Sequence, residues 1–215
     1  VAAVEKGDVM VMSIEGLVSP SSADREEVDL IWFPTGGGKT EAYLGVIAFL
    51  LFYRRLQGKQ DFGATILMRY TLRLLTAQQF ERAATLFCAM EYIRTHLAPE
   101  LGEERFTIGL WVGAATSPNT RENARIQLKQ MIKEPKNAQN PFILRRCPWC
   151  AASFGAFWAG SHTEVLGYKR EDDTVIFRCP DQLCDFASAG KVDLLAPESV
   201  KGNCLPVSVI DEDLI

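Results

Sequence analysis

The chain has 215 residues, a formal net charge of −4 and a pI near 5.3, with 47% hydrophobic and 23% charged residues. That length holds one well-buried domain with a small appendage and is too short for two domains of ordinary size. The composition excludes disordered and coiled-coil classes, and the longest apolar stretch, Ala42 to Tyr53 with Gly45 inside it, falls short of the roughly 20 residues that a membrane-spanning helix requires.

The chain opens on Val1 with no basic segment ahead of an apolar run, so no secretory leader is expected, and both ends read as cut from a longer protein. Residues 1–27 carry one alternating stretch, Val9 to Ile14, then the loop-like Ser19-Pro20-Ser21-Ser22 and the acidic Asp24 to Glu27. From Leu30 the pattern predicts strand, loop and helix: Leu30 to Phe33 as strand, Pro34 to Gly38 as a breaker-rich turn, Thr40 to Leu56 as helix. Ala64 to Met68 is predicted as a second strand, followed by a long helix within Leu74 to Leu97. Phe106 to Trp111 is predicted as a third strand, and Asn119 to Glu134 as a helix capped by Asn119 with Glu122 three residues on. Strands alternating with helices imply a parallel sheet wrapped on both faces, with ligand at the carboxyl ends of its strands. Regularity stops after Pro141, and strand character returns at Leu205 to Ile210.

Within the first unit, Phe33-Pro34-Thr35-Gly36-Gly37-Gly38-Lys39-Thr40 has the chemistry of a phosphate-binding loop. Gly36, Gly37 and Gly38 let backbone N–H groups approach phosphates, Lys39 can reach the β and γ oxygens, and the Thr40 hydroxyl can hold Mg²⁺. The helix that follows points its positive end at the same place. The expected cofactors are therefore ATP and Mg²⁺, with Pro34 and Thr35 completing the loop. Phe33 stands where the strict pattern has its first Gly.

Charge is segregated. Between Asn119 and Arg146 there are seven basic residues (Arg121, Arg125, Lys129, Lys133, Lys136, Arg145, Arg146) against Glu122 and Glu134, a local +5 that leaves −9 elsewhere. Arg121, Arg125, Lys129 and Lys133 recur every four residues and so share one helix face. Like charges at that spacing suit an anion across them, either a phosphate backbone or acidic groups of the intact protein.

Cys147-Pro148-Trp149-Cys150 and Cys179-Pro180-Asp181-Gln182-Leu183-Cys184 give two close thiol pairs in an otherwise irregular stretch. Together they can close a tetrahedral four-cysteine zinc site that supplies folding energy to a small module. A redox-active pair and an iron–sulfur cluster are the competing readings. Cys88 and Cys204 are read as core residues, and His96 and His162 as surface or packing residues. Free thiols in close pairs suit a reducing compartment, hence the cytoplasm.

The loop Pro34-Thr35-Gly36-Gly37-Gly38-Lys39-Thr40 resembles that of superfamily 2 helicases, whose first loop residue is also not glycine. Tyr70-Thr71-Leu72-Arg73-Leu74-Leu75-Thr76-Ala77-Gln78-Gln79 resembles the segment that such motors lay along a nucleic-acid backbone. That likeness marks Thr71 and Arg73, with Arg121 and Arg125, as candidate DNA contacts. Gly109 to Asn119, together with Asn140-Pro141-Phe142 leading into Cys147, is similar to the large helicase-like proteins of DISARM phage-defence systems, the DrmA type. The resemblance implies a RecA-like P-loop domain, with the core in 1–146, a zinc-binding insertion in 147–190 and a return to the sheet in 191–215. It further implies an ATP-driven motor on DNA that works with a partner protein, and a chain lacking the second motor domain that completes the ATP site. The fragment alone is therefore not expected to turn over ATP well.

Two alternatives stay open: a P-loop and zinc module that binds DNA or a partner without motor action, and an RNA helicase. Val207 to Leu214 has the form of a strand ending in Asp-Glu, where such motors hold Mg²⁺ and polarise water. Leu214 and the lack of a preceding Thr-Pro-Gly-Arg segment keep Asp211 and Glu212 out of the expected site.

Overall fold

The structure, a computed structural model, describes residues 14–26, 38–58, 63–70, 73–113, 115–136, 139–160, 162–187 and 204–214. They fall into two units, one within Val1–Arg69 and Arg94–Glu104, the other within Tyr70–Ile93 and Arg105–Ile215.

In the first unit, Gly38 takes a left-handed conformation (φ 78°) and opens helix α1, Lys39–Leu56. Only glycine adopts that backbone at no steric cost. The helix buries Ala42 and Ile47 and packs against a 3₁₀ turn at Pro99–Leu101, whose Leu101 is buried. Ala64 to Met68, predicted as a strand, makes no ladder among the described residues, and Leu67 is 91% exposed. A strand exists through its neighbour, and the neighbour expected at Leu30 to Phe33 lies outside the described residues.

The second unit is organised by helix α2, Arg73–His96. Phe80, Ala84 and Cys88 fall four apart, the spacing of one buried helix face, and all three join the core. Strand β1, Ile108–Gly109, pairs in parallel with β6, Val207–Ser208, in the register Ile108↔Val207. Bonds from Ile108 N–H to Pro206 O and from Leu110 N–H to Ser208 O, both 3.0 Å, extend the pairing. Between them come α3 (Arg121–Lys133) and two antiparallel hairpins, β2 (Gly155–Ala159) with β3 (His162–Leu166), and β4 (Tyr168–Glu171) with β5 (Thr174–Phe177). The described strands thus form a mixed α/β arrangement with one small parallel sheet.

Helix α3 is capped by Thr120 rather than by Asn119 as expected. The Thr120 Oγ1 accepts the Asn123 N–H at 3.1 Å, while the Asn119 carbonyl accepts the Glu212 N–H at 2.9 Å. Asn119 sits one residue too early and its backbone is already engaged. The helix buries Ala124, Leu128 and Met131 against β3 and β5.

One core runs through all of this, joining Phe80 and Cys88 of α2, Leu110, Leu128, Val207 and Ile210 to Phe142, Tyr168, Phe177 and the cysteine-bearing stretch. The residues expected to form a separate insertion therefore share their hydrophobic interior with the parallel pair. Phe142 lies against Tyr168 and Phe177 with ring centroids 4.6 and 5.7 Å apart. Burial raises the pKa of the Tyr168 hydroxyl, which donates to Leu144 O at 2.8 Å and accepts from Asn140 Nδ2 at 2.7 Å. Among the described residues, no helix is long and apolar enough to cross a membrane.

Candidate functional site

Each cysteine pair sits on a tight backbone loop. The first is closed by Cys147 N–H to Ala152 O (2.8 Å) and Ala151 N–H to Cys147 O (2.9 Å), with Ala151 at φ 64°. The second is closed by Cys179 N–H to Phe186 O (2.7 Å) and Cys184 N–H to Asp181 O (3.1 Å). In every case the backbone N–H two residues on is turned toward the sulfur: Trp149 to Cys147, Ala152 to Cys150, Asp181 to Cys179, Phe186 to Cys184. Such donors favour thiolate, the form that binds metal.

The two loops bring the four Sγ atoms together, all within 4.8 Å of one another, with Cys147 to Cys184 at 3.9 Å and Cys150 to Cys179 at 3.3 Å. A tetrahedral zinc with bonds near 2.3 Å sets its sulfurs about 3.8 Å apart, so these four can hold such an ion. Burial raises the pKa of Cys147, of Cys179 and of Cys184, the last to about 12. For exposed Cys150 the residual burial pushes upward too, but the Ala152 N–H and the neighbouring thiols outweigh it and the value falls below normal. Trp149 stacks on Tyr92 with centroids 5.5 Å apart and donates through Nε1 to Asp185 at 3.1 Å, bracing the first loop. The expected ligand set Cys147, Cys150, Cys179 and Cys184 is therefore assembled. Cys88 is fully buried as expected, while Cys204 is half-buried and accepts from Arg105 Nη1 at 2.7 Å.

A second polar feature lies beyond the carboxyl end of β6, in the 3₁₀ turn Asp211–Leu214. Its three acids divide sharply. Glu212 Oε2 accepts the Arg121 N–H at 2.7 Å, at the amino end of α3, and Asp213 accepts from Arg121 Nε at 2.6 Å, Thr174 Oγ1 at 2.9 Å and Ser208 Oγ at 3.2 Å. Asp211 is 5% exposed, and among the described residues neither of its oxygens has a hydrogen-bond partner. The Val112 and Gly113 N–H groups lie near enough to favour its charged form without making full hydrogen bonds. Burial is the larger influence and lifts its pKa above the ordinary carboxylate range. Nearby, Ser117 Oγ donates to Val209 O and fixes the strand end. A buried carboxylate left unsatisfied is costly. Sequence reasoning set this residue aside together with Glu212, on account of Leu214 and the missing Thr-Pro-Gly-Arg segment; burial and the lack of partners among the described residues are what distinguish it.

Of the phosphate-loop residues, Gly38, Lys39 and Thr40 occupy the start of α1 and are half-buried, while Pro34, Thr35, Gly36 and Gly37 lie outside the described residues. Thr71 also lies outside them, and Arg73 is the first residue of α2. The Arg121 guanidinium is held by Asp213 and, at 2.9 Å, by Asp173. The hydrogen bond from Arg121 is the largest influence on Asp173 and lowers its pKa, while the hydrogen bond to Asp213, followed by that to Asp173, raises the pKa of Arg121. Arg125 lies one turn further along the same helix.

No family model matches the chain. Over 152 residues, 66% of its length, it is 44% identical to the DISARM protein DrmA of Bacillus paralicheniformis, and the match covers 13% of that protein. By this likeness the chain resembles DrmA while spanning about an eighth of its length.

Proposed function

We propose that the chain is the ATP-binding part of a DNA-translocating motor of a DISARM-type phage-defence system, working in the cytoplasm with a partner protein. The observation that carries this reading is the 44% identity to DrmA. The sequence Gly36-Gly37-Gly38-Lys39-Thr40, in which left-handed Gly38 precedes α1, supports it.

In this reading Lys39 neutralises the β- and γ-phosphate oxygens of ATP, and the Thr40 hydroxyl is a ligand for Mg²⁺. Gly36 to Gly38 supply N–H groups to the phosphates, with Pro34 and Thr35 shaping the loop. Asp211 is the carboxylate best suited to a divalent cation, because it is buried, unpartnered and at a strand end. Thr71 and Arg73 are the proposed DNA contacts, and such contacts give affinity and salt dependence without sequence choice. Arg121 would have to leave two carboxylates to reach a phosphate. The four-cysteine centre holds zinc in a structural role, since its loops are braced into the core.

The test is ATP turnover by the full-length protein and its Lys39→Ala variant, with and without single-stranded DNA. Stimulation of the wild type with a dead variant is expected. No turnover with any nucleic acid would replace the motor with a P-loop and zinc interaction module.

A further inference from the structure

On the outer side of α3 a groove of about 470 Å³ runs between the helix and β4. Its floor is the buried Leu128, and Ile126 and Ile132, each 58% exposed, form its apolar walls. Around them stand three cations, Arg125 and Lys129 on the helix and Arg170 on β4, with Glu122 at one end. Of the other carboxylates that bear on it, Asp173 lies close enough to feel Arg125 but is bonded to Arg121.

We propose that this groove is a docking site for an acidic amphipathic helix of a partner protein. The inference is independent of the motor reading. Ile126 and Ile132, each 58% exposed, lie in one groove with three cations, so apolar area and charge are presented side by side, the mixture that interfaces carry. Charge complementarity selects the occupant: three cations against one acid ask for carboxylates. A phosphate backbone would satisfy the cations and leave both isoleucines in water, and single-stranded nucleic acid is gripped by aromatic rings, which this groove lacks. An amphipathic helix meets both demands, because aliphatic residues three, four or seven apart cover Ile126 and Ile132 while acids on either flank reach Arg125, Lys129 and Arg170. The walls lie six residues apart on α3, about 9 Å by helical rise, close to two turns of such a partner. Glu122 fixes the polarity, since the end of the guest that meets it must be free of acids.

The probe is a fluorescent peptide of about 14 residues, leucine at three- and four-residue spacing and glutamate on the flanks, read by anisotropy against the full-length protein. Saturable binding is expected, weakened at least about tenfold by Ile126→Asp or Ile132→Asp and similarly by Lys129→Glu. A peptide with lysines in place of the facing glutamates should recover binding to the Lys129→Glu variant. All three side chains are exposed, so far-ultraviolet circular dichroism should match the wild type. Absence of saturable binding, or binding that these variants leave unchanged, overturns the proposal. Displacement of the peptide by a single-stranded oligonucleotide, with the oligonucleotide itself weakened by the same substitutions, overturns it too and gives the groove to nucleic acid.

Discussion

Asp211 is the residue at which stability and function pull apart most visibly. Its folded-state pKa lies above the ordinary value because burial penalises the charge. Below about pH 4 the carboxyl is protonated in both folded and unfolded chains and there is no penalty; above the raised folded value the penalty is complete. Asp211→Asn should therefore raise stability by about 1 kcal/mol at pH 8 in metal-free buffer and change nothing at pH 3.5. Urea denaturation at the two pH values measures this. Addition of Mg²⁺ should stabilise the wild type and leave the variant unmoved, and a variant that responds equally would remove Asp211 from any cation site. Arg121→Ala should lower the thermal midpoint, more at low salt than at high, because its partners Asp213 and Asp173 are then left unneutralised.

At the scale of elements, the cap of α3 and the turn between the hairpins are the places where a single change should be felt. Thr120→Ala removes the acceptor for the Asn123 N–H and should cost about 1 kcal/mol in chemical denaturation. Gly167 joins β3 to β4 at φ 90°, and an added Cβ would lie 2.2 Å from Phe154 Cγ. Gly167→Ala should accordingly destabilise by about 3 kcal/mol, with the near-ultraviolet signal of the aromatic cluster disturbed first. Helices were legible in the sequence because their signals are local: α1, α2 and α3 fall within about two residues of expectation, each marked by periodic apolar residues and helix formers. The strand expected at Ala64 to Met68 shows the converse, since a strand depends on a partner that its own residues do not specify. The cysteine spacing announced the cluster of four thiols, because two knuckles are encoded in a few residues each. Nothing in the local sequence told Asp211 from Glu212 and Asp213, whose roles are decided by contacts with Arg121, Thr174 and Ser208 from other elements.

At the scale of the molecule, three of the four clustered cysteines lie in the hydrophobic core of the second unit, so loss of the centre should be felt throughout that unit. Cys150 is the exposed one of the four cysteines, so Cys150→Ser would change little besides the proposed coordination. That substitution, or a strong chelator, should lower the thermal midpoint by roughly 10 °C or more, with the bound metal released one per chain in native mass spectrometry. A chain that keeps its midpoint without metal would show the thiols to be packing residues only.

The pairing of β1 with β6 carries a consequence in time. Ile108 meets Val207 across nearly half the sequence, so that contact closes only after about a hundred further residues have been made, a high contact order of the kind that slows folding. At ribosomal rates the interval is roughly 5–20 s. During it the two hairpins and the two cysteine loops, all built from near neighbours, can already form, while β1 waits with an open edge, exposed to other chains. Of the two paired strands it is thus the later one, β6, that closes the ladder on β1.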